Sequence, residues 1–563
     1  GAKISGILRD RHGTEADTTG SGVQIGTVLK METGGTSVFG IVSSMRISDP
    51  SSEMGDGASD HEKRIVDIDL LGETRPDPDN PAKFRFQRGV TRYPALGAGV
   101  YSASVEDLAA IYARPNASNV RIGTIYQSDG LPAYVVTDDL LGKHFAVLGT
   151  TGAGKSCTVA LILRSILLQH PNGHIILLDP HNEYSRAFGD SAEVLNPDNL
   201  QLPYWLLNSE EMVEVMIGRN QSDKDTQVAI LNAAILAAKR KFLGSGVDTN
   251  HITVDTPTPY NLTELVRNID AAMGQLDKPE SSLPFLRLKA RIERLKNDRR
   301  FGFMFAGLMV RDTMAEIVSR LLRVPVAGKP ITIVDLSGVP SEIVDIVVSL
   351  LSRLVFDFAV WSEPVQTLPV LLVCEEAHRY VPAGQNTGFE PTKFVISRIA
   401  KEGRKYGVSL CLITQRPSEL SPGILAQCNT LFALRMSNEQ DQEFVRKALP
   451  EYGLGLMNAL PSLDTQEAIV VGEGVTVPMR LRFDHLDEEY RPRSGSASFA
   501  DIWHRDNVAK ELVTETIERW RYQERAIPMT GDAAFTRVRK DLLPSEAQSS
   551  AARPATRTPR ATR

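Results

Sequence analysis

Cysteine is scarce: Cys157, Cys374, Cys411 and Cys428 are the four among 563 residues, and no two form a C-x-x-C pair. That excludes a zinc-finger or disulfide framework and leads us to expect reduced thiols in a cytosolic protein. Positive charge is not in excess, because 63 Lys+Arg face 69 Asp+Glu for a net −6. A site for a polyanion must therefore be local rather than spread over the surface. Long apolar runs are missing too. The richest stretch, 343–361, is broken by Asp345, Arg353 and Asp357, which argues against a membrane span, and no signal pattern precedes the first strands. The expected location is cytoplasmic. What is present, 42% hydrophobic and 23% charged residues, excludes a mostly disordered chain, and at roughly 100–200 residues per domain the length predicts three or four domains.

Texture divides the chain. Residues 1–115 carry short alternating runs rich in Gly, Val, Ile and Thr, which predict a small β-barrel. From 116 onward, apolar runs at 145–148, 175–178, 331–334, 370–374, 410–414 and 431–434 alternate with helical patterns. That rhythm predicts βα units around a parallel sheet buried on both faces. Continuous helical periodicity over 205–328 predicts a helical bundle inserted between the halves of this core, 116–204 and 329–495, with Leu288, Ile292 and Leu295 on one apolar face. Residues 496–543 are expected to form a helical extension and 544–563 a disordered tail.

The strongest chemical signal is Gly149-Thr-Thr-Gly-Ala-Gly-Lys-Ser156. It satisfies G-x-x-x-x-G-K-[ST] between a predicted strand and a predicted helix over 157–168. Glycines there let backbone N–H groups turn inward around phosphate oxygens, and the helix N-terminus adds partial positive charge. Lys155 is expected to reach the β- and γ-phosphates and Ser156 to ligate Mg²⁺. The expected nucleotide contacts are Gly149, Thr150, Thr151, Gly152, Ala153, Gly154, Lys155, Ser156 and Cys157.

The apolar run at 370–374 ends in Glu375 and Glu376. One carboxylate is expected to hold Mg²⁺ (Glu375) and the other to polarise the attacking water (Glu376); a solvated strand end is the alternative. Gln415, ending the 410–414 run, is either a γ-phosphate sensor or a turn residue before Pro417. Asp179, ending another strand, is expected to face the nucleotide. The basic stretch 398–406 reads by itself as a solvated helix face.

Taken together, Gly149–Ser156, Leu178-Asp-Pro-His-Asn-Glu-Tyr184, Ile333-Val-Asp-Leu-Ser-Gly-Val339, Cys374-Glu-Glu-Ala-His378, Lys401-Glu-Gly-Arg-Lys-Tyr-Gly407 and Thr414-Gln-Arg-Pro-Ser418 resemble the HerA family of the HerA/FtsK superfamily, hexameric ATPases that translocate duplex DNA. The resemblance implies an α/β fold, with a RecA-like P-loop ATPase core, an N-terminal barrel of HAS-barrel type and an inserted helical bundle. It implies that Lys155 and Ser156 bind ATP and Mg²⁺, that Glu376 is the catalytic glutamate, and that Arg404 is an arginine finger given to the neighbouring subunit. Lys143 and Asp179 match positions used near the nucleotide. Glu375 stands where Asp is usual, and Lys143 where Arg is frequent. The implied partners are identical subunits in a ring, double-stranded DNA in its channel, and a NurA-like nuclease or a sirtuin-like defence effector docked on the N-terminal barrel. The alternative is an ATPase scaffold that activates an effector, with DNA pumping secondary. The loop 379–393, carrying Arg379 and Lys393, is a DNA-contacting segment or an ordinary surface loop.

Overall fold

The computed structural model describes residues 3–7, 23–47, 64–76, 84–126, 128, 130–218, 223–276, 282–305, 310–362, 367–384, 388–448, 454–493, 503–504 and 510–522. The tail expected over 544–563 lies outside them. The chain divides into Gly1–Ser496 and Ala497–Arg563; in the second unit the helix Lys510–Tyr522 is formed.

The first unit contains two sheets. Six strands build the N-terminal one: β1 (Lys3–Ile7), β2 (Val28–Thr33), β3 (Thr36–Ile47), β4 (Arg64–Pro76), β5 (Phe84–Arg88) and β6 (Val100–Ser102). They pair in the order β1-β4-β3-β2-β6 with β5 also on β4, so among the described residues the path is open rather than closed into a barrel. Alternation decides what its faces do. Val28, Phe39 and Ile41 join the main core, while Leu29, Met31, Val38 and Val42 close a small core with Val66, Ile68 and Leu70.

The second sheet has eleven strands: β7 (Asn119–Ile125), β8 (Pro132–Val136), β9 (Phe145–Leu148), β10 (Ile175–Asp179), β11 (Ala192–Leu195), β12 (Ile331–Asp335), β13 (Val370–Cys374), β14 (Val408–Thr414), β15 (Thr430–Ala433), β16 (Glu467–Gly472) and β17 (Met479–Phe483). Their order is β11-β12-β10-β13-β14-β9-β15-β16-β17-β7-β8. From β11 to β15 every pairing is parallel, and from β15 to β8 every pairing is antiparallel. The six apolar runs read from the sequence are all strands of the parallel half, and β9, β10, β12, β13, β14 and β15 are buried at every position. The antiparallel half was not anticipated, nor was β11.

Residues on both sides of the helical insert build this one sheet. The insert contains the helices Ser209–Met216, Lys224–Leu243, Leu262–Met273, Leu283–Asn297 and Met314–Leu322, with Leu288, Ile292 and Leu295 buried. It is fastened to the core helix Ser341–Ser362 through Arg353, whose guanidinium donates to both oxygens of buried Glu211 and to the Leu206 carbonyl. The charge that interrupts the most apolar segment thus has a partner. Among the described residues, no helix is long and apolar enough to cross a membrane.

Candidate active site

Strand order places the chemistry. The turn after β9 emerges between β14 and β15, and β13 and β10 follow on the far side of β14, so four strand ends converge at one carboxyl edge. This is where ligands bind in open α/β sheets. The turn itself is Gly149 to Gly154. Gly152 (φ +77°) and Gly154 (φ +98°) adopt left-handed backbone, and a Cβ on Gly152 would meet nothing within 4 Å, which leaves the loop an open cradle. Its rim is tied to the segment just past β15, where Thr150 N–H and Oγ1 both donate to the Arg435 carbonyl at 3.0 Å.

The helix Lys155–Gln169 starts directly from the loop. Lys155 is 8% exposed, and its Nζ donates to the Thr150 carbonyl at 3.2 Å. Burial pushes its pKa down, and the nearby carboxylates of Glu375, Glu376 and Glu183 oppose that shift. An ammonium with three N–H groups and a single protein acceptor among the described residues is suited to phosphate oxygens. The cradle therefore fits a nucleotide.

Glu375 and Glu376 follow β13 and are both buried. Tyr184 Oη donates to Glu375 Oε2 at 2.7 Å. Burial pushes the Glu375 carboxyl up; the Tyr184 bond opposes this, while the charges of Glu183 and Glu376 add to it. Glu376 holds left-handed backbone at φ +53°, a conformation that costs a non-glycine residue about 1–3 kcal/mol and collects at functional sites. Its Oε1 accepts from Gln415 Nε2 at 2.7 Å. Its Oε2 is buried without a hydrogen-bond partner; His378 Nδ1 stands 3.2 Å away and bonds to Thr414 Oγ1. That free lone pair is suited to a water molecule.

Gln415 directly follows β14, the strand between the loop and the acids. Its Oε1 accepts from Thr151 Oγ1 while its Nε2 donates to Glu376. One side chain thus spans from the phosphate loop to the glutamate, an arrangement a simple turn residue does not require.

Ser156 Oγ donates to Glu183 Oε2 at 2.5 Å. Ser156, Glu183 and Glu375 present the hard oxygens that Mg²⁺ prefers. Sequence reasoning passed over Glu183 and Tyr184. The available signal was their place in the turn that follows β10, the strand beside β13.

Two expected positions lie elsewhere. Asp179 does not face the cradle: it is fully buried, and its carboxylate accepts from the backbone N–H groups of His181, Glu183 and Tyr184. Those three bonds engage both of its oxygens and shape the turn. Lys143 precedes β9, whose four residues at about 3.3 Å each separate it from the loop at the other end. There it pairs with Asp139 at 2.7 Å and with Glu473, whose carboxyl also senses the charge of Arg404. Arg404 sits in the turn before β14, at that same amino edge. It is exposed, its guanidinium makes no hydrogen bond or ion pair among the described residues, and it lines a groove of about 610 Å³ with Lys401, Glu402, Lys405 and Tyr406. Cys157 is half-buried and the other three cysteines are buried, all four as free thiols.

Residues 120–355 match the family described as "Helicase HerA, central domain", a span that holds the phosphate loop and ends before Glu375. The "DNA double-strand break repair helicase HerA" of Pyrococcus furiosus is 26% identical over 479 residues, 79% of this chain and 82% of that protein. The "Probable DNA double-strand break repair helicase HerA" of Methanocaldococcus jannaschii is 29% identical over 425 residues, 68% and 78% of the two chains. Among solved structures, VirB4 of Thermoanaerobacter pseudethanolicus aligns with TM-score 0.47 and 18% identity over 67% of this chain and 98% of that one.

Proposed function

Since this chain is a P-loop ATPase of the HerA/FtsK type, we propose that it is a DNA translocase, driven by ATP hydrolysis and working as a ring of identical subunits. In this reading Lys155 binds the β- and γ-phosphates. Ser156 and Glu375 hold Mg²⁺, which neutralises charge developing on the phosphates. Glu376 orients the attacking water through its free Oε2, and Gln415 links the state of the loop to that glutamate.

What carries the ring is the separation of groups across the sheet. The cradle lies at the carboxyl edge, while Lys143 and exposed Arg404 lie at the amino edge and cannot reach their own subunit's phosphates. A neighbour placed head to tail would bring its cradle to them, as heterologous contacts in a closed ring do. The positive charge of Arg404 would then stabilise the transferring phosphoryl group. A hexamer, duplex DNA in the channel, and a nuclease or defence effector docked on the N-terminal sheet complete the proposal. The relatives named as DNA double-strand break repair helicases support the choice of DNA.

The test is ATPase turnover and displacement of a blocking protein from duplex ends. Duplex DNA is expected to raise turnover, increasing salt to remove that stimulation, and Lys155→Ala to abolish both turnover and displacement. Turnover indifferent to duplex at every salt concentration, with no displacement, would sink the motor reading.

A further inference from the structure

The segment that follows the paired acids is set tightly against the end of β14. The carbonyls of Glu376 and Ala377 accept from the N–H groups of Arg379 and Tyr380 at 2.9 and 3.0 Å, closing a single turn around His378. Beyond that turn, Ser421 N–H donates to the Val381 carbonyl at 2.9 Å and Ala383 N–H to the Glu419 carbonyl at 2.8 Å, so the chain leaving β13 is stitched to the chain leaving β14. The stitching fixes the backbone at His378, whose partly buried ring stands between the two strand ends. Its Nδ1 lies 3.0 Å from Oγ1 of Thr414, the last residue of β14, and 3.2 Å from Glu376 Oε2.

Which atom carries the proton of the contact between Nδ1 and Thr414 follows from its surroundings. Thr414 Oγ1 already accepts from the Arg416 N–H at 3.0 Å, which leaves it one lone pair and one proton. Were the hydroxyl to donate to Nδ1, the nitrogen lone pair would stand 3.2 Å from the carboxylate oxygen of Glu376, with negative charge facing negative charge. With the proton on Nδ1, the second lone pair of Thr414 Oγ1 accepts it, and the positive end of the N–H dipole lies beside Glu376. The carboxylate thus selects the Nδ1–H form. Because that proton is directed at Thr414, Glu376 Oε2 makes no hydrogen bond of its own and keeps its lone pairs for water.

Resting on the reading of Glu376 as the group that orients the attacking water, we propose that His378 is a positioning residue for that carboxylate: its Nδ1–H, held by Thr414, fixes Oε2 at the place from which it meets the water. Gln415 holds the other oxygen. Both grips originate at the end of β14, one directly through Gln415 and one through Thr414 and the ring. His378 acts only through Glu376, so it governs hydrolysis and not nucleotide binding.

Single-turnover ATP hydrolysis and equilibrium binding of a fluorescent ATP analogue, both with the full chain, test this. An asparagine amide can place an N–H where Nδ1 stands, whereas leucine places none. His378→Leu is expected to bind the analogue within about threefold of wild type and to hydrolyse at least about tenfold more slowly, toward the ~100-fold that a misplacement of about 1 Å costs, while His378→Asn hydrolyses within about threefold of wild type. In a Glu376→Gln background His378→Leu is expected to slow hydrolysis by less than about threefold, because the carboxylate it positions is gone. A His378→Leu rate less than about tenfold below wild type, a His378→Asn rate no better than that of His378→Leu, or an undiminished effect in the Glu376→Gln background overturns the positioning role. His378→Gln, whose amide nitrogen lies farther out, near the place of Nε2, substitutes for His378→Leu if the latter melts at lower temperature. Glu376→Gln alone separates the two claims: if it hydrolyses ATP like wild type, the reading of Glu376 itself fails, whereas slow hydrolysis there beside wild-type hydrolysis by His378→Leu condemns the positioning role alone.

Discussion

At the scale of single residues, the site is a set of polar groups whose remaining valences are specific. Glu376 has one oxygen bonded to Gln415 and one that makes no hydrogen bond and stands 3.2 Å from His378 Nδ1, on a backbone held in a left-handed conformation. Replacing it by Gln preserves shape and burial while removing the acceptor that would polarise water. Glu376→Gln is expected to bind nucleotide within about threefold of wild type and to lose about 10²–10⁴-fold in kcat, the usual worth of a positioned general base. Single-turnover hydrolysis measured beside nucleotide binding checks both halves. The residue types at this edge were legible in the sequence because G-x-x-x-x-G-K-[ST] and paired acids after an apolar run are patterns with a mechanism. The orientation of Asp179 was not, because an acid at a strand end serves a ligand or a turn equally well. Three backbone N–H groups within reach decided it.

At the scale of elements, a buried ion pair joins the insert to the core, beside the more exposed Arg320–Glu193 pair. Arg353 on the helix Ser341–Ser362 meets Glu211 on the helix Ser209–Met216, and the side chains are 15% and 1% exposed. Glu211 also accepts from Ser349 and from the Asn208 N–H at the start of its own helix. Removing the guanidinium strands that carboxylate, and the loss of one partner of a buried pair costs about 3–5 kcal/mol. Arg353→Ala is therefore expected to lose that much unfolding free energy in a denaturant titration, and Arg353→Met with Glu211→Leu to regain most of it. Should the double variant be less stable than Arg353→Ala, the buried pair would not be what fastens the insert. Helices of the insert were visible as 3.6-residue periodicity, and strands β9, β10, β12, β13, β14 and β15 as short apolar runs with both faces hidden. Strands β7, β8, β16 and β17 were missed although they extend the same sheet. Strands β7 and β17 mix polar and apolar positions, as in Asn119–Ile125 and Met479–Phe483, whereas β16 carries a buried apolar run, Ala468–Val471, of the same kind as the parallel strands.

At the scale of the whole molecule, the proposed ring would complete each subunit's site with a neighbour's Arg404. Acids and phosphate loop share one edge of the sheet, and Arg404 with Lys143 the other. Arg404→Ala is expected to bind nucleotide normally and to lose hydrolysis. Mixed with Glu376→Gln, it is expected to recover part of the activity, because an intact Glu376 in one subunit then meets an intact Arg404 from the next. Steady-state turnover of mixtures at varied ratio measures this. Normal hydrolysis by Arg404→Ala alone would remove the arginine from the mechanism. The sequence by itself determined the α/β class, the phosphate-loop chemistry and the presence of a helical insert, since each is written in local spacing and periodicity. Tertiary structure alone decided the strand order, and with it which groups meet. Because β14 lies between β9 and β13, Gln415 bridges the loop and the acids. Because β10 lies beside β13, Tyr184 reaches Glu375 while Glu183 meets Ser156 from the same turn. And because a strand has two ends, Lys143, only six residues before Gly149, stands on the opposite side of the sheet from it.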